Sequence, residues 1–267
     1  MGLFHARVDS KGGQDMTNSP PWYETFFDGL YGKVLASHFS EDRAQAQAEL
    51  IKKLLKLRKG QRVLDCPCGV GRITIPLARM GLKMTGVDLT AAYVRQARRR
   101  AKREGLDIPF IRCDMREIDF DGEFHAVINW FTAFGYFDKA GDLATAKGAF
   151  RALKPGGKFL VDVSNKSWVL SHFVASDTSV INDVEITDTR QWNANIGRME
   201  SDWTFRKGKQ IERQHVSLRL YDGAELRAVL RKAGFREIHL YGFPPLGRLS
   251  RHRRRLIAVA TRPKESS

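Results

Sequence analysis

A chain of 267 residues is long for one minimal domain and short for two ordinary ones, and with 42% hydrophobic and 10% aromatic residues it can bury a sizeable core, which excludes wholesale disorder, a collagen-like chain and a small stapled scaffold. Lysine and arginine total 45 against 30 aspartates and glutamates, a net charge of +15 that attracts polyanions and acidic partners without naming a function. The three cysteines, Cys66, Cys68 and Cys113, lie in apolar runs that fit reduced thiols in a cytoplasm better than disulfides, and they are too few for a metal quartet.

Residues 1–20 are polar and punctuated by Lys11-Gly12-Gly13 and Ser19-Pro20, a segment expected to stay mobile. It holds no apolar stretch of signal-peptide length, and no window of the chain reaches the length of a membrane span, so a cytoplasmic protein is expected. An aromatic stretch at 23–37 and a periodic one at 41–57, with Ala46, Leu50, Leu54 and Leu57 on one face, predict two helices, a cap over 21–60. Strands are then predicted at 62–65, 83–88, 109–113, 124–130 and 158–163. They alternate with helices at 73–80, 91–104 and 141–153, the last followed by a turn at Lys154-Pro155-Gly156-Gly157. Strands apolar on both faces and separated by helices mean a parallel sheet between helical layers. After Asn165 the alternation stops, and strand-like stretches at 184–189, 198–206 and 210–220 predict an antiparallel insertion over 165–220. A helix at 222–233 and strands at 236–241 and 256–261 return to the sheet, so the core comprises 61–164 and 221–262.

In open α/β sheets ligands bind beyond the carboxyl ends of the strands. The first strand-to-helix turn here is Asp65-Cys66-Pro67-Cys68-Gly69-Val70-Gly71-Arg72, and Asp88 closes the second strand. The dinucleotide fingerprint G-x-G-x-x-G is absent, and a carboxylate at the end of the first strand repels a pyrophosphate while attracting an ammonium or sulfonium. Adenosine carrying a methionine satisfies both acids.

With these motifs the chain resembles the class I S-adenosylmethionine-dependent methyltransferases over about residues 40–262. The matching features are the loop of residues 63–72, Gly86-Val87-Asp88-Leu89, Cys113-Asp114-Met115, Asn129-Trp130 and the turn at 153–157. The resemblance implies an α/β, Rossmann-like, seven-stranded, mostly parallel sheet with helices on both faces, an N-terminal helical cap and an antiparallel β lid. It implies S-adenosyl-L-methionine as cofactor and no metal. Asp65, Gly69 and Gly71 would frame the methionine moiety, Asp88 the ribose hydroxyls, and Asp114 with the Met115 backbone the adenine, with Leu89 against the ring and Asn129-Trp130 at the fourth strand. Within that superfamily the aromatic N-terminal segment, the 129–136 segment and the β insertion resemble glycine and aminosugar N-methyltransferases. By that resemblance Arg43 would pair with the cofactor carboxylate and Tyr23 would cover the methyl donor. Ser164 stands where glycine N-methyltransferases carry a substrate-binding arginine, which argues against glycine as acceptor.

The reaction implied is in-line displacement at the methyl carbon, with Tyr23, Tyr136, His172 and His215 as candidates to take or relay a proton. The expected partner is a small-molecule acceptor, one that can carry acidic groups, for a monomer or homodimer. Arginine clusters at 95–103 and 248–255 make nucleic acid the alternative partner. Against it, Asn129-Trp130-Phe131-Thr132 is not the arrangement of base-amine methyltransferases.

Overall fold

A computed structural model describes residues 20–32, 34 and 40–264. In chain order α1 (Trp22–Thr25) and α2 (Glu41–Leu55) precede β1 (Arg62–Asp65), α3 (Thr74–Arg79), β2 (Lys83–Asp88), α4 (Ala91–Arg103) and β3 (Phe110–Arg112). Next come β4 (Phe124–Asn129), α5 (Lys139–Ala152), β5 (Leu153–Ser164), α6 (Lys166–Ser171), β6 (Ser176–Ile181), β7 (Val184–Asn193), β8 (Arg198–Lys207) and β9 (Gln210–Arg219). The chain returns through α7 (Gly223–Lys232), β10 (Arg236–Phe243), β11 (Gly247–Arg248) and β12 (Arg255–Thr261).

The large sheet has the order β11-β10-β12-β5-β4-β1-β2-β3. The strands from β3 to β5 run parallel, and β12 enters antiparallel between β5 and β10. All seven expected strands are present, and the two-residue β11 adds an eighth at the edge. Because side chains alternate along a strand, neighbours in sequence serve opposite cores. Leu64 and Val127 face α5 and α7, packing with Ala146, Ala149, Leu226, Leu230 and Phe235. Val63 and Ile128 face the other layer, with Ile51 of α2, Ile75 of α3 and Val94 of α4.

The insertion is a four-stranded antiparallel sheet, β6-β7-β8-β9. Its inner face forms a third core in which Val184, Ile186 and Phe205 meet Phe26, Leu30 and Val34 of the N-terminal segment. The insertion thus backs the N-terminal segment, whose Tyr23 packs on the core of the large sheet, and the two together form a roof.

Five expectations change. In α2 the buried face is Ala44, Ala48, Ile51 and Leu55, while Ala46 of the expected face is exposed. The helix predicted over 23–37 breaks after Thr25 into a turn, and helical backbone resumes at Leu30, whose N–H donates to Glu212 Oε2 of β9 at 2.7 Å. A carboxylate from 182 residues away caps the second piece. The turn predicted at 154–157 is instead the start of β5, where the register against β4 shifts between Phe124 and Ala126. Neither α6 nor β6 was expected: β6 is almost wholly exposed and carries no alternating pattern to read. The 1–19 segment, residues 33 and 35–37 of the predicted first helix, residues 38–39 and 265–267 lie outside the described residues. Among the described residues no helix is long and apolar enough to cross a membrane.

Candidate functional site

The loop after β1 is built on two buried aspartates. Asp65 ends β1 at 1% exposure; Thr74 Oγ1 donates to its Oδ2 at 2.6 Å, while Oδ1 is buried without a partner among the described residues. Burial pushes its carboxyl up to about 7, against the opposing pull of the Thr74 hydroxyl and the Arg72 guanidinium. Asp88 ends β2 and accepts from Gly69 N at 2.7 Å and Thr90 N at 2.8 Å, tying the loop to the second strand. Gly69 takes φ +55°, which a residue without Cβ adopts at no cost. After β3, Asp114 accepts from Arg116 N at 2.8 Å and from Arg116 Nη2 at 2.6 Å. The Arg116 guanidinium lies over the rings of Phe137 at 4.2 Å and Tyr23 at 5.5 Å, and this joins the adenine-edge loop to the roof.

These strand ends open on one cavity of about 360 Å³. Of the residues singled out in the sequence, Asp65, Gly69, Asp88, Leu89, Asp114, Met115 and Trp130 line it, roofed by Tyr23 and Tyr136. Three do not. Gly71 holds φ +78° in the turn, and a Cβ there would meet Ile75 Cδ1 at 3.1 Å, so its place is in packing under the loop. Asn129 is fully buried beneath the cavity, its Nδ2 donating to Cys66 O at 3.0 Å, because β4 ends with that side chain turned toward the loop's underside. Arg43 sits on an exposed part of α2; the same turn of helix presents Ser40, Glu41 and Ala44 to the cavity instead.

Three arginines do reach the wall, Arg72, Arg100 and Arg103, and of these Arg72 stands in the loop after β1 beside Asp65. Its Nη1 donates to Gln47 Oε1, which also accepts from Trp130 Nε1 at 3.3 Å, and its guanidinium lies 5.0 Å from the Phe131 ring centre. Burial lowers it to about 10, still charged at neutral pH. The signal was available, since Arg72 closes the glycine loop in the sequence. Tyr93 was missed as well: it lines the cavity from α4 with its hydroxyl buried and unpartnered among the described residues.

Of the proton-transfer candidates, only the two tyrosines line the cavity. His172 stacks on Trp168 at 4.5 Å, and His215 of β9 bonds Glu200 and Asp202 of β8; neither histidine lines the cavity. Burial pushes both Tyr23 and Tyr136 up, so each stays a neutral phenol at neutral pH. Tyr136 is anchored through its backbone: Arg198 of β8 donates to Tyr136 O at 3.0 Å and Phe137 O at 2.6 Å. Beside it Gly135 takes φ +110°, where a Cβ would fall 2.5 Å from Arg219 O. The three cysteines are free, and burial raises their thiols, which makes Cys66 and Cys68 packing groups under the loop.

Residues 63–157 match the methyltransferase domain family, the stretch that supplies every strand-end residue of the cavity from Asp65 to Trp130. Over that stretch the chain is similar to a methyltransferase domain. YqeM of Bacillus subtilis (strain 168), a candidate methyltransferase by its name, is 36% identical over 128 residues, 47% of this chain and 51% of that one. The S-adenosyl-L-methionine-dependent Diels-Alderase iccD of Talaromyces variabilis is 34% identical over 146 residues, 52% of this chain and 49% of that one. The chain thus spans about half the length of these curated relatives. Around residues 63–157 the whole fold is similar to the structure of SAM-bound CalS10, an amino pentose methyltransferase from Micromonospora echinaspora: TM-score 0.64 and 23% identity over 88% of this chain and 97% of that one.

Proposed function

We propose that the protein transfers a methyl group from S-adenosylmethionine to a nitrogen or oxygen of a small molecule. The observation that carries this reading is Asp65 Oδ1, a buried carboxylate oxygen without a partner among the described residues, at the wall of a cavity whose next two strand ends bring Asp88 and Asp114. A buried unpartnered acceptor calls for a cationic donor, and the ammonium of a methionine moiety is one. The residues fit that group: Asp65 for the ammonium, Arg72 in place of Arg43 for the carboxylate, Asp88 for the ribose, and Asp114 with the Met115 backbone and Leu89 for the adenine.

When bound, S-adenosylmethionine supplies a sulfonium-activated methyl that a lone pair displaces in line. The chain itself contributes position and dryness. Tyr23, Tyr136 and Phe137 wall the cavity with aromatic surface, and the two phenols orient an acceptor by hydrogen bonding rather than by removing its proton, which leaves to solvent. The likeness to an amino pentose methyltransferase supports an amine-bearing, sugar-like acceptor, and Ser164 argues against glycine.

The nucleic-acid alternative is weakened by what the arginine clusters already do. Arg98 donates to Phe110 O, Arg100 to Val70 O and Glu41, Arg254 lies over Trp168, and Arg255 pairs with Asp162. Incubating the purified protein with methyl-labelled S-adenosylmethionine and cell extract tests the reading. Label in the small-molecule fraction supports it, and label in RNA or protein overturns it. Unmoved label with tight binding of S-adenosylhomocysteine would point to a cofactor held without methyl transfer, as the name of the iccD relative suggests for that protein.

A further inference from the structure

The chain leaves β4 through two consecutive residues in the left-handed region, Phe131 at φ +74° and Thr132 at φ +65°. That backbone is costly for any side chain with a Cβ, most of all for a β-branched threonine, and persists only where its surroundings over-determine it. One ion pair supplies those surroundings. Asp162 of β5, fully buried, accepts from Phe131 N through Oδ2 at 3.0 Å, and its own carbonyl accepts from Thr132 N at 2.9 Å. Arg255, opening β12, donates to Asp162 Oδ1 at 2.7 Å and Oδ2 at 2.6 Å, and to Thr132 Oγ1 at 2.9 Å. The Phe131 ring is then flanked by two guanidinia, Arg255 at 5.3 Å and Arg72 at 5.0 Å from its centre.

We propose that Asp162 and Arg255 are positioning residues: they hold the left-handed Phe131–Thr132 turn, which sets the Phe131 ring as the shelf that aims the Arg72 guanidinium into the cavity. Neither lines the cavity, so both act through Phe131 and Arg72. An apolar pair would pack the same space with less desolvation, but it would bond neither the Phe131 amide nor the Thr132 hydroxyl. This role rests on Arg72 holding the carboxylate of the cofactor.

The test is calorimetric titration of the full chain with S-adenosylhomocysteine. Asp162→Asn keeps the side-chain shape but turns an amide nitrogen toward Arg255, and it should weaken binding on the order of tenfold. Adding Thr132→Gly should recover most of that loss, because glycine takes positive φ freely. Unchanged affinity in Asp162→Asn overturns the proposal. A loss that glycine does not recover also overturns it, leaving the pair a merely structural role. If Asp162→Asn does not fold, Arg255→Gln with and without Thr132→Gly makes the same comparison. A wild-type protein that binds no S-adenosylhomocysteine would instead overturn the cofactor reading, and this role with it.

Discussion

Asp65 is a carboxyl held where its charge is expensive, and the expense has a use. With burial raising it to about 7, it would bind the proposed ammonium only after giving up its proton. S-adenosylhomocysteine affinity should therefore fall as pH drops below about 7 and level off above it, as calorimetry at several pH values would show. Asp65→Asn leaves the ammonium buried without its counter-charge and should weaken binding by about 3–5 kcal/mol. Two arginines make a sharper comparison. Arg72→Met removes a cation from the cavity wall and should weaken binding by about 1.5–3 kcal/mol, whereas Arg43→Met should leave it unchanged. Sequence favoured Arg43 because a family pattern placed a cation there; only the fold shows which side of α2 that residue occupies.

At the scale of elements, the helices are fixed by devices of different reach. α7 carries a complete capping box, with Asp222 accepting from Ala224 N and Glu225 N while Glu225 accepts from Asp222 N. Asp222→Ala should cost about 1 kcal/mol of stability by denaturant titration and leave cofactor affinity alone, since α7 is remote from the cavity. Phe205, 1% exposed between the N-terminal segment and the roof sheet, should cost about 3–5 kcal/mol when cut to alanine. The same contrast of reach explains what could be read from the chain. β1, β2 and β4 were legible because strands buried on both faces write short, mostly apolar stretches between turn residues, and α4 because its apolar residues keep helical spacing. The strand-end acids Asp65, Asp88 and Asp114 were legible for the same reason, each standing where such a run stops. The break after Thr25 was not, because the carboxylate that restarts the helix comes from Glu212, distant in sequence. β6 was not, because an exposed edge strand of Ser176, Asp177, Thr178 and Ser179 has no apolar period. Asn129 and Trp130 are adjacent in sequence yet one lies beneath the cavity and the other on its wall, a separation decided by the pleat and the turn that follows.

Across the whole molecule, buried carboxyls raised by desolvation, Asp65, Asp88, Asp142 and Asp188, make folding take up protons, and two of them are raised furthest. Asp142, which accepts from the Tyr221 hydroxyl at 2.6 Å, is raised to about 6, again by burial first, and Asp65 to about 7, both from an ordinary 3.8. A raised carboxyl binds its proton more tightly folded than unfolded. The stabilisation from these two is complete below about pH 4 and lost as pH rises through about 6 and 7. Asp65→Asn, neutral throughout, should melt higher than the wild type at pH 8 and close to it at pH 4, measurable by thermal scans at the two pH values. The roof has a different consequence. Its core of Phe26, Leu30, Val34, Val184, Ile186 and Phe205 shares no buried member with the two cores that flank the large sheet. Such a separate cluster is the signature of a cooperative unit that opens without the rest. Amide hydrogen exchange should find β7 and β8 yielding at a lower free energy than β1 and β4. Tyr23 and Phe27 of the roof line the cavity, so the passage of an acceptor would be governed by an opening equilibrium of its own, and substitutions in those six side chains, Phe205→Ala among them, would change turnover and the stability of the roof more than that of the sheet.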